Sequence, residues 1–144
     1  SLLAGEPLAG CNLDLAKAFD SLPHSVFFGL AENMGLCPRV TSGLRAMYTQ
    51  LRRQFKTGPT VGVPFTSTNG ILQGCPLSVL LLNMYVETWC RYVRFSVPES
   101  RPRAYADDMG ATAPTATAIM KVLQCTATYA HFSDMHVNAE KSGV

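Results

Sequence analysis

The sequence predicts an α+β fold: an antiparallel sheet with helices packed on one face, in βαββαβ order with an elaborated first connection. Three observations predict it. Strand-like segments stand early, late and at the very end of the chain. Apolar residues at helical spacing fill the stretches between them. Two adjacent acids at a tight turn join two of the strands as a hairpin.

Gly10 to Leu15 reads as the first strand. Asp20 or Ser21 is the expected cap of a helix with Pro23 in its first turn. That helix runs to about Met34, with Val26, Phe27 and Leu30 on its apolar face, and Gly35 stops it. Pro38 starts a second helix to about Leu51, through Val40, Leu44, Met47, Tyr48 and Leu51. Arg53 to Lys56 is expected to pair with Thr60 to Val63 across Thr57-Gly58-Pro59. After a turn at Ser67 to Gly70, and following Pro76 and Ser78, comes a long helix through Leu80, Leu81, Met84, Tyr85, Trp89 and Val93, with Pro98 beyond its end. Arg103 to Tyr105 and Met109 to Thr112 flank the acids as a hairpin. Thr115 to Phe132 is a further helix, and Val137 begins a last strand.

At 144 residues the chain supports one domain with a real core, and 47% hydrophobic against 15% charged residues marks an ordered globular piece. The longest apolar run, Val79 to Leu82, ends at Asn83, so no membrane span and no membrane partner are expected. The start lacks a signal-peptide pattern, and both ends read as cut from a longer protein. Five scattered cysteines, Cys11, Cys37, Cys75, Cys90 and Cys125, form no Cys-x-x-Cys pair. Buried thiols in a reducing, intracellular compartment are the expectation. No dense Lys/Arg run marks nuclear entry.

The net charge of +2 is unevenly spread. No acid occurs from Asn33 to Val86, a stretch that holds Arg39, Arg45, Arg52, Arg53 and Lys56. Such a face suits a phosphate backbone, with Arg52, Arg53 and Lys56 as the expected contacts, although a solvated surface gives the same pattern.

Asp107 and Asp108 at the hairpin tip can both reach one nearby point, and Asp14 at the end of a neighbouring strand would complete a carboxylate cluster. Hard carboxylate oxygens suit Mg²⁺, and two such ions about 3.5–4 Å apart serve phosphoryl transfer. An Asp pair in a turn is by itself more often structural.

The three segments Leu13-Asp14-Leu15-Ala16-Lys17-Ala18-Phe19-Asp20, Gly70-Ile71-Leu72-Gln73-Gly74-Cys75-Pro76-Leu77-Ser78 and Tyr105-Ala106-Asp107-Asp108, in that order, resemble motifs A, B and C of a reverse transcriptase. The resemblance is to the non-LTR retrotransposon and group II intron branch and runs from Asn12 to Ser142, with Asn138 to Ser142 similar to motif D. It implies a polymerase palm and an RNA-directed DNA polymerase. Asp14, Asp107 and Asp108 would be ligands of two Mg²⁺ ions, with Mn²⁺ as a substitute. Leu15 would lend its carbonyl, Phe19 would be the steric gate against ribonucleotides, and Gln73 and Gly74 would contact the incoming nucleotide. Lys141 would protonate the departing pyrophosphate.

The implied partners are an RNA template, a DNA primer, deoxynucleoside triphosphates and the remainder of a parent polyprotein, with fingers, thumb and an endonuclease. Residues 1–144 would be a single partial domain, the palm core, weak or inactive in isolation. The sequence departs from the pattern at Leu72, often basic, and Leu82, often Phe. The rival readings are an RNA-templated RNA polymerase, a decayed or domesticated palm that binds nucleic acid, and a template-free cyclase. Phe19 and Ala106 oppose the first, the intact carboxylates the second, and the Gln73-Gly74 loop the third.

Overall fold

The computed structural model describes residues 8–144. The first strand, β1 (Ala9–Asp14), runs into a short helix, α1 (Ala18–Ser21), then α2 (His24–Asn33) and α3 (Pro38–Gln50). A small hairpin follows, β2 (Lys56–Thr57) and β3 (Thr60–Val61). The long helix α4 (Pro76–Ser96) leads to β4 (Arg101–Tyr105), β5 (Asp108–Ala113) and α5 (Ala116–Phe132).

The main sheet is antiparallel, in the order β1-β5-β4. Its two faces differ as period-2 strands require. One face buries Cys11 and Leu13 of β1, Met109, Ala111 and Ala113 of β5 and Pro102 of β4. The helices α4 and α5 pack on that face, adding Leu81, Leu82, Tyr85, Trp89, Ile119 and Val122 to the core. Among the described residues no helix covers the opposite face. The register places Asp14, Asp108 and Tyr105 in its first row, Asn12, Gly110 and Arg103 in the second, and Gly10, Thr112 and Arg101 in the third. The expected fold class is therefore met: an antiparallel sheet with helices on one side.

Helix ends follow local chemistry. Gly35 has a φ of 81°, and beyond α2 the N–H groups of Gly35 and Leu36 return to the carbonyls of Glu32 and Ala31. That double return closes a Schellman cap. The end of α5 repeats it, with Asp134 in the left-handed position at φ 53° and Met135 N–H on the Ala130 carbonyl at 2.9 Å. Thr115 caps the start of α5 by accepting from Ala118 N–H at 3.2 Å.

Several expectations need correction. Asp20 and Ser21 lie inside α1 rather than capping the next helix, and Pro23 takes the N-cap position of α2. The cause is Lys17, whose left-handed backbone starts a helical turn early. The buried stripe of α2 is Phe27, Phe28 and Ala31, while Val26 and Leu30 are half-buried. On α3 the core takes Thr41, Leu44 and Tyr48, and leaves Val40 and Met47 exposed; Leu80 of α4 is exposed as well.

The small hairpin slips by one residue, pairing Lys56 with Val61 and Thr57 with Thr60 around Gly58-Pro59. A two-residue loop satisfies the twist of a hairpin better than three. The last strand is reduced to two isolated bridges on the free edge of β1, Leu15 with Val137 and Asn12 with Gly143. Of the five cysteines, all free, only Cys11 and Cys90 are buried as expected; Cys75 and Cys125 are half-buried and Cys37 is exposed. Among the described residues no helix is long and apolar enough to cross a membrane.

Candidate active site

The carboxylates come together through strand register. Asp14 is the last residue of β1 and stands directly opposite Asp108, the first residue of β5. Side chains so opposed have Cβ atoms roughly 4.5–5.5 Å apart. Tyr105 is the other neighbour of Asp108, and between them Ala106-Asp107 forms a two-residue loop. Ala106 has a φ of 53°, the positive value a tight hairpin loop needs at its first position. Asp107 therefore sits at the tip, one residue beyond the Asp14–Asp108 row.

Among the described residues none of these three carboxylates has an ion-pair partner; the salt bridges are Arg45–Glu32 and Arg91–Glu87. Two like charges facing each other without a counter-charge are the donor set a hard cation fits. The described residues do not close three such groups on one point as a finished metal cage. The arrangement is an open row with a tip, which suits ions that draw further oxygens from phosphate and water. Asp14, Asp107 and Asp108 are the residues that could hold them.

The C-terminal segment fixes the backbone of Asp14. Asp14 N–H donates to Ser142 Oγ at 3.2 Å, and its carbonyl accepts from Asn138 N–H at 2.8 Å. Ala16 N–H donates to the His136 carbonyl at 2.8 Å. Lys141 lies on the turn Asn138 to Ser142, exposed and beside the free edge of β1. Leu15 is buried and bridged to Val137.

A second knot ties the Gln73 loop to α1. Ile71 N–H donates to the Phe19 carbonyl at 2.6 Å and Gly70 N–H to the Leu22 carbonyl at 2.9 Å. The Gly70 carbonyl accepts from Arg53 Nη2 at 2.8 Å and lies 3.0 Å from His24 Nε2, which must carry the proton because a carbonyl only accepts. Gln73 Nε2 donates to Asp20 Oδ1 at 3.2 Å. The result is a cavity of about 440 Å³ lined by Phe19, Gln73, Gly74, Cys75, Pro76 and Val79. Three of the expected nucleotide contacts thus meet in one place. Val79 is four residues before Asn83 on α4, so the two share a face about 6 Å apart along the axis. Asn83 Oδ1 accepts from Ala106 N–H at 3.1 Å, which sets the cavity beside the carboxylate tip.

The basic residues divide. Arg52 and Lys56 are exposed, whereas Arg53 is half-buried and spent on the Gly70 carbonyl. Sequence reasoning passed over Asn83, whose only signal was a polar residue closing an apolar run. It also passed over Arg101 and Arg103, exposed on the sheet face away from the helices, behind the acids.

The profile of the reverse transcriptase (RNA-dependent DNA polymerase) family matches residues 5–144. The chain belongs to that family. The chain is 29% identical over 147 residues to a Xenopus laevis protein, the transposon TX1 uncharacterized 149 kDa protein, covering 96% of this chain and 11% of the relative. It is 24% identical over 136 residues to the retrovirus-related Pol polyprotein from the type-2 retrotransposable element R2DM of Drosophila melanogaster, covering 90% and 13%. The expected non-LTR retrotransposon kinship is met. The chain spans little more than a tenth of these curated relatives.

In fold it resembles the apo telomerase of Candida tropicalis truncated from its C-terminal domain, with a TM-score of 0.75 at 14% identity, over 95% of this chain and 30% of that one. The telomerase of the same species in complex with a telomeric RNA fragment gives a TM-score of 0.77 at 12% identity, over 96% and 26%. The reverse transcriptase domain described here thus has the polymerase palm.

Proposed function

We propose that this domain is the catalytic palm of a retroelement polymerase that adds deoxynucleotides to a primer 3′-hydroxyl on an RNA template. The observation that carries the reading is the cross-strand pair Asp14–Asp108 with Asp107 at the tip, one turn of α4 away from the Phe19–Gln73–Gly74 cavity. Two Mg²⁺ ions, when bound, would activate the primer hydroxyl and neutralise the leaving phosphates. Asp14, Asp107 and Asp108 would hold them. The sugar of the incoming nucleotide would rest against Phe19, whose ring leaves no room for a 2′-hydroxyl. Gln73 and the bare backbone of Gly74 would contact that nucleotide, and Lys141 would give a proton to pyrophosphate. Arg52 and Lys56 would follow the phosphate backbone of the template. The rest of a longer polyprotein would supply the further grip on template and primer.

The test is primer extension on an RNA template by a longer open frame that contains this domain. Asp107→Asn should lower kcat by roughly 10²–10³-fold while nucleic-acid binding persists, in line with the loss of other essential charge-stabilising groups. Unchanged turnover in Asp107→Asn would sink the two-metal assignment. Phe19→Ala should leave deoxynucleotide incorporation measurable and relax discrimination against ribonucleotides. Discrimination that stays at the wild-type ratio would remove Phe19 from the gate.

A further inference from the structure

We propose that Asn83 is a positioning residue that sets the carboxylate tip from the long helix. The inference rests on the reading above for what the tip does, and on geometry for how it is held. Asn83 follows the apolar run Val79 to Leu82 and is half-buried on α4, among the buried Leu82, Met84 and Tyr85. Its Oδ1 lies 3.1 Å from the backbone nitrogen of Ala106. The β4–β5 ladder ends at the Tyr105–Asp108 pair, so the Ala106 N–H has no strand partner. A buried or half-buried N–H without a partner is costly, and a backbone N–H can only donate. An amide oxygen at residue 83 is therefore the group the turn needs.

The contact also holds a strained conformation. Ala106 is a non-glycine residue in the left-handed region, where the Cβ crowds the following carbonyl. Such a residue persists only where surrounding structure fixes it. Rotation of the 105–106 or 106–107 peptide would swing Asp107, the next residue, away from the Asp14–Asp108 row. Because Val79 shares the face of Asn83, the same helix that lines the cavity sets the distance to the tip.

Two readouts separate this inference from the metal reading. The first is amide hydrogen exchange at Ala106, measured by NMR on the 144-residue chain. Asn83→Ala should exchange at least 10-fold faster at Ala106 with other sheet amides unchanged, and Asn83→Asp, which keeps the acceptor, should stay protected. Equal exchange at Ala106 in wild type and Asn83→Ala overturns the proposal. The second is Mn²⁺ titration by paramagnetic broadening. Asn83→Ala should weaken binding several-fold, and less so in an Ala106→Gly background, where the strain is relieved. Wild-type affinity in Asn83→Ala would overturn the positioning role. A wild-type chain that takes up no Mn²⁺ contradicts the metal reading, and the exchange result still decides Asn83. Should Asn83→Ala not fold, Asn83→Ala with Ala106→Gly carries the same exchange measurement.

Discussion

At the scale of single residues, two glycines with nearly equal backbones do different work. Gly70 and Gly74 have φ values of 83° and 82°. A Cβ on Gly70 would lie 2.7 Å from the Asp20 carbonyl oxygen, whereas a Cβ on Gly74 meets nothing within 4 Å. Gly70→Ala should therefore destabilise by about 2–3 kcal/mol, from strain plus a clash with backbone that cannot yield. Gly74→Ala should cost only about 1 kcal/mol. Under the proposed function, the added methyl beside the Phe19–Gln73 cavity should raise the nucleotide KM. Urea unfolding of both variants checks the first contrast, and equal losses would contradict it. Asp134 gives the opposite sign. It occupies a left-handed cap position that glycine fills without strain, so Asp134→Gly should raise stability by roughly 0.5–1 kcal/mol in the same assay.

Elements explain why neighbouring charges have separate fates. The small hairpin β2–β3 holds Lys56 exposed, and Arg52 precedes it in solvent. Arg53 bridges instead to Phe65, its N–H and carbonyl both paired at 2.9 Å, and its guanidinium reaches Gly70. Arg53→Ala should lower the melting temperature by loosening the Gln73 loop. Arg52→Ala and Lys56→Ala should leave the melting temperature alone and each reduce the salt slope of nucleic-acid binding by roughly 1. A melting loss in Arg52→Ala equal to that of Arg53→Ala would remove the distinction. The long helices α4 and α5 are joined by buried polar contacts as well as by apolar ones. Trp89 Nε1 donates to Thr126 Oγ1 at 3.0 Å, and Tyr129 Oη donates to the Tyr85 carbonyl at 2.9 Å.

For the whole molecule, that interface makes stability sensitive to alkali. Burial pushes the Tyr85 hydroxyl up to about 12, its hydrogen bond with Ser133 opposing the shift only in part. Tyr129 is raised as well, by burial first and then by Tyr85 beside it. Unfolded tyrosines ionise near 10, so the unfolded chain loses these protons first. Stability should hold below pH 10 and fall as pH rises from 10 toward 12, by up to about 1.4 kcal/mol per pH unit for each tyrosine. Tyr85→Phe should be less stable at neutral pH yet show a shallower alkaline decline. A decline of equal slope in wild type and Tyr85→Phe would rule Tyr85 out as its source.

Much of this was legible in the residues themselves. Periodicity placed β1, α3, α4, the hairpin β4–β5 and α5 within a residue or two, because each carries its own local signal: Pro at a helix start, Gly at its end, paired strands around a turn. The segments around Asp14, Gln73-Gly74 and Asp107-Asp108 carried the resemblance to the family that the whole-chain match shows, and the resemblance in turn named Phe19, Gln73 and Gly74 as candidates. Tertiary structure alone decided the remainder, since it depends on partners distant in sequence. Hairpin register, the bridged tail of Val137 to Gly143 and the buried faces of α2 and α3 follow from what each segment packs against. Arg53 read as a surface cation until Gly70 stood beside it. Asn83 read as the end of an apolar run until the fold brought Ala106 to its side chain, 23 residues on. Local chemistry writes the elements and the reactive groups into the chain; only the folded backbone determines which of those groups find one another.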